Sequence, residues 1–232
     1  MRPIFRSDRR IARSRQQSGR GAPGDDWTPL SGAAVHLDFT RQRYYWNGAE
    51  RLAANFTTFT GGTFSSGLVL DGVAVNFDIS VSLATANISL PCVLIVSYTP
   101  GSVTGTQYIG SIDTDVNNVC SIGLSGSSKL AFVNTAGVTQ ASVATAANAS
   151  IGTRITCGAN FETNNILLSD GGVTAGTPDT LATLPSLTTI RIGERSGGAP
   201  FTGTVHHIVI VGGAQTQGNL NTFTAAVAGL PI

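Results

Sequence analysis

Thr153-Arg-Ile-Thr-Cys-Gly-Ala-Asn160 decides the fold class, because Ile155, Cys157 and Ala159 fall on one side of an extended chain and Arg154, Thr156 and Gly158 on the other. Side chains of a strand alternate between its faces, so this pattern predicts a half-buried strand. Val93-Leu94-Ile95-Val96 and Ile208-Val209-Ile210-Val211 are instead apolar without a break. That places them centrally in their sheets, covered on both faces. Around these three lie further short runs: Ala34–Phe39, Arg43–Trp46, Leu68–Leu70, Val73–Ile79, Gln107–Ile112, Val119–Leu124, Lys129–Asn134, Val138–Ala144, Asn165–Ser169 and Thr188–Ile192. Asn47-Gly48, Asp71-Gly72, Asp170-Gly171 and Gly126-Ser127-Ser128 read as turns between them. One short helix is expected, over Leu220–Val227. With no repeat and no alternation of strand and helix, the pattern predicts an all-β, two-sheet antiparallel sandwich.

Composition agrees. The chain has 232 residues, 41% hydrophobic but only 12% charged, with 28 glycines, a balance that suits short strands and tight turns. Cys92, Cys120 and Cys157 are too few and too scattered for a disulfide framework or a zinc site. The core must therefore come from packing. The longest apolar stretch, Leu90 to Val96, is one strand and far short of a membrane span. No apolar segment follows the basic N-terminus, so no secretory signal is expected, and the Asn-x-Ser/Thr triplets at Asn55, Asn87 and Asn148 read as chance.

The formal net charge of +1 hides an asymmetry. Residues 1–20 hold Arg2, Arg6, Arg9, Arg10, Arg13, Arg15 and Arg20 against Asp8, and the rest of the chain is net acidic. Residues 1–30 thus read as an extended basic arm and linker, with Gly19, Gly21, Pro23 and Gly24 as a leash, and residues 31–232 as the sandwich. Clustered guanidinium groups could bind phosphates or dock in an acidic groove of another protein. Phe5 is the one aromatic residue among them and the body is acidic, so protein docking is favoured over nucleic acid.

The stretch Thr188-Thr-Ile-Arg-Ile-Gly-Glu-Arg195, then Phe201-Thr-Gly-Thr-Val-His-His-Ile-Val-Ile-Val211, then the short helix, resembles the close of a concanavalin A-like jelly roll of the laminin-G type. Leu37-Asp-Phe39, Tyr44-Tyr-Trp-Asn-Gly48 and Phe64 to Leu70 resemble the start of such domains in tailed-bacteriophage virion proteins. The resemblance implies structural decoration, adhesion, glycan binding or, less often, glycan cleavage; the fold alone decides among none of them.

Cleavage needs two carboxylates close together. Glu50, Glu162 and Glu194 are the only glutamates, and none has a second carboxylate within four residues. Asp113-Thr-Asp115-Val-Asn117 begins like a calcium loop but lacks its glycine and distal glutamate, so an Asx-rich turn is the expectation. His206 and His207 are adjacent and should face opposite sides, one to the core and one to the surface; His36 has no partner in sight. No catalytic residue, metal or cofactor is expected. Tyr44, Tyr45 and Trp46 form the one aromatic cluster, a candidate glycan platform that also suits core packing.

The expected function is a non-enzymatic virion protein: a jelly roll anchored by its arm to capsid, neck or tail, in several symmetric copies. A receptor-binding or glycan-binding adhesin of the virion, meeting a host surface glycan, is the alternative, and a glycan depolymerase the less favoured one.

Overall fold

The computed structural model describes residues 27–56, 58–60, 62–73, 78–196 and 198–232. All seven arginines of the arm lie outside the described residues.

Two antiparallel sheets stack face to face. The larger has ten strands, in the order β15 (Val173–Asp179), β14 (Ile166–Asp170), β13 (Ile155–Phe161), β8 (Cys92–Pro100), β17 (Thr202–Gly212), β1 (Val35–Asp38), β2 (Arg43–Trp46) and β3 (Ala49–Arg51). β6 (Leu68–Asp71) pairs with the first part of β17, and β5 (Thr63–Phe64) with β6. The smaller has seven, in the order β12 (Val138–Ala144), β11 (Ser128–Thr135), β10 (Asn118–Ser125), β9 (Thr106–Asp115), β16 (Thr189–Ile192), β7 (Asp78–Ser82) and β4 (Thr58–Thr60).

The two uninterrupted apolar runs lie side by side, β8 against β17, in the middle of the larger sheet. Leu94, Val96, Ile208 and Ile210 point into the core between the sheets. Their alternates Val93, Ile95, Val209 and Val211 form a second cluster on the outer face. Beyond the single-turn helix α1 (Leu83–Ala86), helix α2 (Gln217–Ala228) covers that cluster through Leu220 and Val227, which explains why both faces are apolar. Thr216 caps the helix, accepting from Asn219 N.

The same helix corrects the reading of Thr153–Asn160. Ile155, Cys157 and Ala159 do face the core, but the strand is buried on both sides rather than half-buried. Gly158 lies under α2, where a Cβ would sit 2.2 Å from Thr224 Oγ1, so only glycine allows this approach. Asn47-Gly48 turns β2 into β3 with both residues at positive φ. Asp71-Gly72 joins no hairpin: β6 and β7 belong to different sheets, so the chain crosses the sandwich there. Of the expected Val73–Ile79 strand, residues 74–77 lie outside the described residues, and β7 begins at Asp78.

Candidate functional site

The smaller sheet turns a polar surface away from the core. Its register aligns Ser142, Phe132, Ser121, Ser111, Arg191 and Ser80 in one row across neighbouring strands. Their sequence neighbours Ala131, Val133, Cys120, Ile122, Ile112, Ile190, Ile192 and Val81 fill the core, so strand alternation sends the row outward. Asn134 and Asp113 belong to the next row along β11 and β9.

After β16 the chain folds back over this face. Gly193 makes the bend at φ +84°, where a Cβ would lie 2.3 Å from a Leu70 methyl. Ser111 Oγ donates to Glu194 O at 2.7 Å, and Ser196 N donates to Asp113 Oδ2 at 3.0 Å. Arg191 Nε donates to Asp113 Oδ1 at 2.9 Å. Burial pushes the Asp113 carboxyl up, opposed by the Ser196 amide and the Arg191 charge. Arg195 lies over the Tyr108 ring at 4.9 Å and the Phe132 ring at 5.6 Å.

Among the described residues seven buried side-chain polar atoms have no hydrogen-bond partner, and three of them, Ser121 Oγ, Asn134 Oδ1 and Arg195 Nε, lie on this face. Buried polar atoms are ordinarily satisfied, and an orphan marks where a water or ligand group belongs. Arg195 covers the Tyr108–Phe132 pair, whose rings lie 5.9 Å apart; Ser121 is paired with Phe132 in the sheet register and Asn134 lies two residues further along β11, with Tyr108 buried and Phe132 half-buried.

The sequence-predicted residues fare differently. Tyr44 and Trp46 are 2% and 1% exposed and pack on Phe56 in the core, so neither can offer a ring to a sugar. Tyr45 is half-buried on the opposite face of β2, apart from the other two rings. Asp113 and Asp115 do not converge on one ion: Asp113 is bound as above, while Asp115 Oδ1 accepts from Asn117 N and Asn118 Nδ2 within the β9–β10 turn. Glu50 pairs with Arg43, Glu162 accepts from Asn165, and Glu194 sits in the loop after β16; the three glutamates stand on separate elements. The three thiols are buried, and burial pushes that of Cys92 up to about 12.

The histidines are the main surprise. Both His206 and His207 are buried, and neither is on the surface. His206 bonds Ser66 O and Thr99 Oγ1 at 2.8 Å each. His36, for which the sequence showed no partner, meets His207 and Asp38 on the outer face of the larger sheet. β1 and β17 pair across the whole length of the chain, a contact that no local pattern announces.

Three such ligands this close invite a metal, but the hydrogen bonds assign the protons otherwise. Leu30 N can only donate, so His36 Nδ1 accepts from it at 3.0 Å. The neutral ring then carries its proton on Nε2, facing His207 Nδ1 at 3.4 Å. Pro231 O can only accept, so His207 Nε2 is protonated, at 3.1 Å. Asp38 Oδ1 accepts from Thr40 N, Thr40 Oγ1 and Arg41 N, and its Oδ2 from Trp27 Nε1 and Arg41 Nη1. No lone pair suited to a metal is left over. The group instead fastens residues 27–30 to the sandwich, with Arg43 stacked 5.4 Å over Trp27. Burial lowers both His36 and His207 to about 4, against the pull of Asp38. Burial pushes Asp38 up, but the Thr40 hydroxyl, His207 and Arg41 outweigh it and hold the carboxyl low.

No protein family and no curated protein sequence matches the chain. Solved structures do. Trypanosoma rangeli sialidase superposes with a TM-score of 0.59 at 14% identity, over 87% of this chain and 34% of that one. Domain 4 of the GH43 extracellular arabinanase of Geobacillus stearothermophilus, in complex with arabinotriose, gives 0.58 at 15%, over 83% and 98%. The CBM40 of the Ruminococcus gnavus IT-sialidase, bound to α2,3 sialyllactose, gives 0.51 at 12%, over 67% and 97%. The chain thus spans about a third of the Trypanosoma enzyme and nearly all of the other two domains. At these identities the likeness concerns the fold: this chain shares with them a two-sheet antiparallel β-sandwich.

Proposed function

We propose that this chain is a non-catalytic display module that takes a glycan on the outer face of its seven-stranded sheet. The observation that carries the reading is the set of unpartnered atoms, Ser121 Oγ, Asn134 Oδ1 and Arg195 Nε, beside Tyr108 and Phe132. A sugar offers hydroxyls that donate and accept, and an apolar C–H face to lie on the accessible part of the Phe132 ring. The arabinotriose and sialyllactose complexes of two similarly folded domains support the ligand class. The separation of the glutamates, and the engagement of Asp113 with Arg191, support binding without hydrolysis.

The seven arginines of residues 1–20 attach the module to another protein, and the sequence resemblance makes that protein a virion component, with symmetric copies displayed outward. A glycan array followed by calorimetry tests the ligand. Binding that falls at least about tenfold in Phe132→Ala and Ser121→Ala supports the site; binding unchanged in both moves it elsewhere. Attachment is tested separately: a chain lacking Met1–Gly24 should fail to load onto DNA-free particles that capture the full chain.

A further inference from the structure

Fourteen residues of the chain are Lys or Arg, and Lys129 is the only lysine. If Lys129 served only to pair with a carboxylate, arginine would do so better, since its planar fork binds both oxygens at once. Lys129 is 4% exposed at the start of β11. Its Nζ donates to both Asn148 Oδ1 and Asp170 Oδ2, each at 2.5 Å.

The backbone holds these groups together. Lys129 N donates to Thr145 Oγ1, and Thr145 N donates to Lys129 O, each at 3.0 Å. Asn148 N and Ala149 N both donate to Ser127 O, at 3.1 and 2.9 Å. The segment 145–149 is thus tacked along 127–129, and Asp170 reaches in from the end of β14, its Oδ1 4.0 Å from buried Cys157 Sγ. Amine, amide and carboxylate are fixed within reach of one another before any reaction begins.

We infer that Lys129 and Asn148 become joined by a side-chain amide bond, with Asp170 carrying the proton. The Asp170 carboxylate takes a proton from the Lys129 ammonium, and the freed amine attacks Cγ of Asn148, forming an N–C bond. Asp170 returns the proton to the departing amide nitrogen, the original C–N bond breaks and ammonia leaves, and the second hydrogen of the attacking nitrogen passes through the Asp170 carboxylate to that ammonia, so that a neutral secondary amide remains. One ammonium and one primary amide become one secondary amide and one ammonium ion, so atoms and charge balance, with no oxidant or cofactor. Asn148 lies at the surface, so the ammonia leaves directly into solvent. The product staples the start of β11 to the segment that follows β12.

The purified full chain is expected to weigh about 17 Da less than its sequence, the mass of one ammonia. Because Lys129 is the only lysine, a lysine-specific protease acting on the denatured chain cuts a linear molecule into residues 1–129 and 130–232 and leaves the joined one whole. The Lys129→Arg and Asn148→Ala variants should each regain the full mass. Full mass with complete cleavage at Lys129 would overturn the inference. So would a loss of about 17 Da that persists in Lys129→Arg, since asparagine can also lose ammonia by closing on its own backbone.

Discussion

Acidification from about pH 7.5 to about pH 5 should loosen the root of the arm before it unfolds the sandwich. In the fold, burial lowers His36 and His207 from 6.5 to about 4, so between those values the unfolded chain binds more protons than the folded one. Stability therefore rises with pH across that window, is complete above about 6.5, and falls as the pH drops toward about 4. Integrated to about pH 5, each histidine contributes a loss of about 2 kcal/mol, about 4 kcal/mol for the pair. Buried His206, also lowered by burial, adds in the same direction. Asp38, held low, loses its contribution only at lower pH still.

A cheaper escape exists. A proton on His36 Nδ1 would face the Leu30 N–H, donor against donor. Opening residues 27–30 relieves this at the cost of the Trp27–Asp38 and Leu30–His36 bonds and the Arg43 stacking, about 3 kcal/mol together. At about pH 5 the opening returns the His36 share of about 2 kcal/mol, which leaves the open segment only about 1 kcal/mol above the closed one while global unfolding still costs several, so local release comes first. The chain has two tryptophans, and Trp46 is fully buried, so the fluorescence change should report Trp27. The expected result is a red shift that sets in at about pH 5 while far-ultraviolet circular dichroism keeps its β signal, with urea-derived stability about 4 kcal/mol lower. Stability that stays flat across this range would refute the proton assignment.

Related expectations concern the same anchor and the core. A body starting at Trp27 should be about 3 kcal/mol more stable to urea than one starting at Ser31, because the shorter chain loses the Trp27–Asp38 bond and the Arg43 stacking and takes from His36 Nδ1 the Leu30 donor. Asp38→Asn should cost a similar amount, since an amide nitrogen would face donors from Thr40, Arg41 or Trp27; an unchanged midpoint would show that the carboxylate is dispensable. EDTA should leave the melting temperature unchanged, because both the His36–Asp38–His207 group and the Asp113–Asn117 turn spend their acceptors on hydrogen bonds; a calcium- or zinc-dependent rise would contradict this. Gly158→Ala should destabilise by about 2 kcal/mol or more, read by thermal melting, as the new methyl pushes α2 off β13.

The sheets were readable wherever a strand's own residues state which sides are covered. Val93–Val96 and Ile208–Val211 announce two-sided burial by being apolar throughout, although what covers them, α2, appears only in three dimensions. Short polar edge strands such as β3, β5 and β15 carry no such pattern: Val173–Asp179 contains Gly176 and Pro178 and reads as a loop. The sites were less legible because they are made by register between distant strands. Ser121 and Phe132 are ordinary residues until β10 and β11 set them side by side. His36 and His207 meet across 171 residues. The aromatic cluster at Tyr44–Trp46 was legible as a cluster, but alternation on β2 sends two of its rings inward.

Titration of the full chain with the best-bound sugar from an array, against Phe132→Ala, Ser121→Ala and a Tyr45→Ala control on the other sheet, tests the central claim most directly. The account predicts saturable binding without turnover of the sugar, weakened at least about tenfold by the first two substitutions and untouched by the third. Binding lost with Tyr45→Ala alone, or release of cleaved sugar, would contradict it.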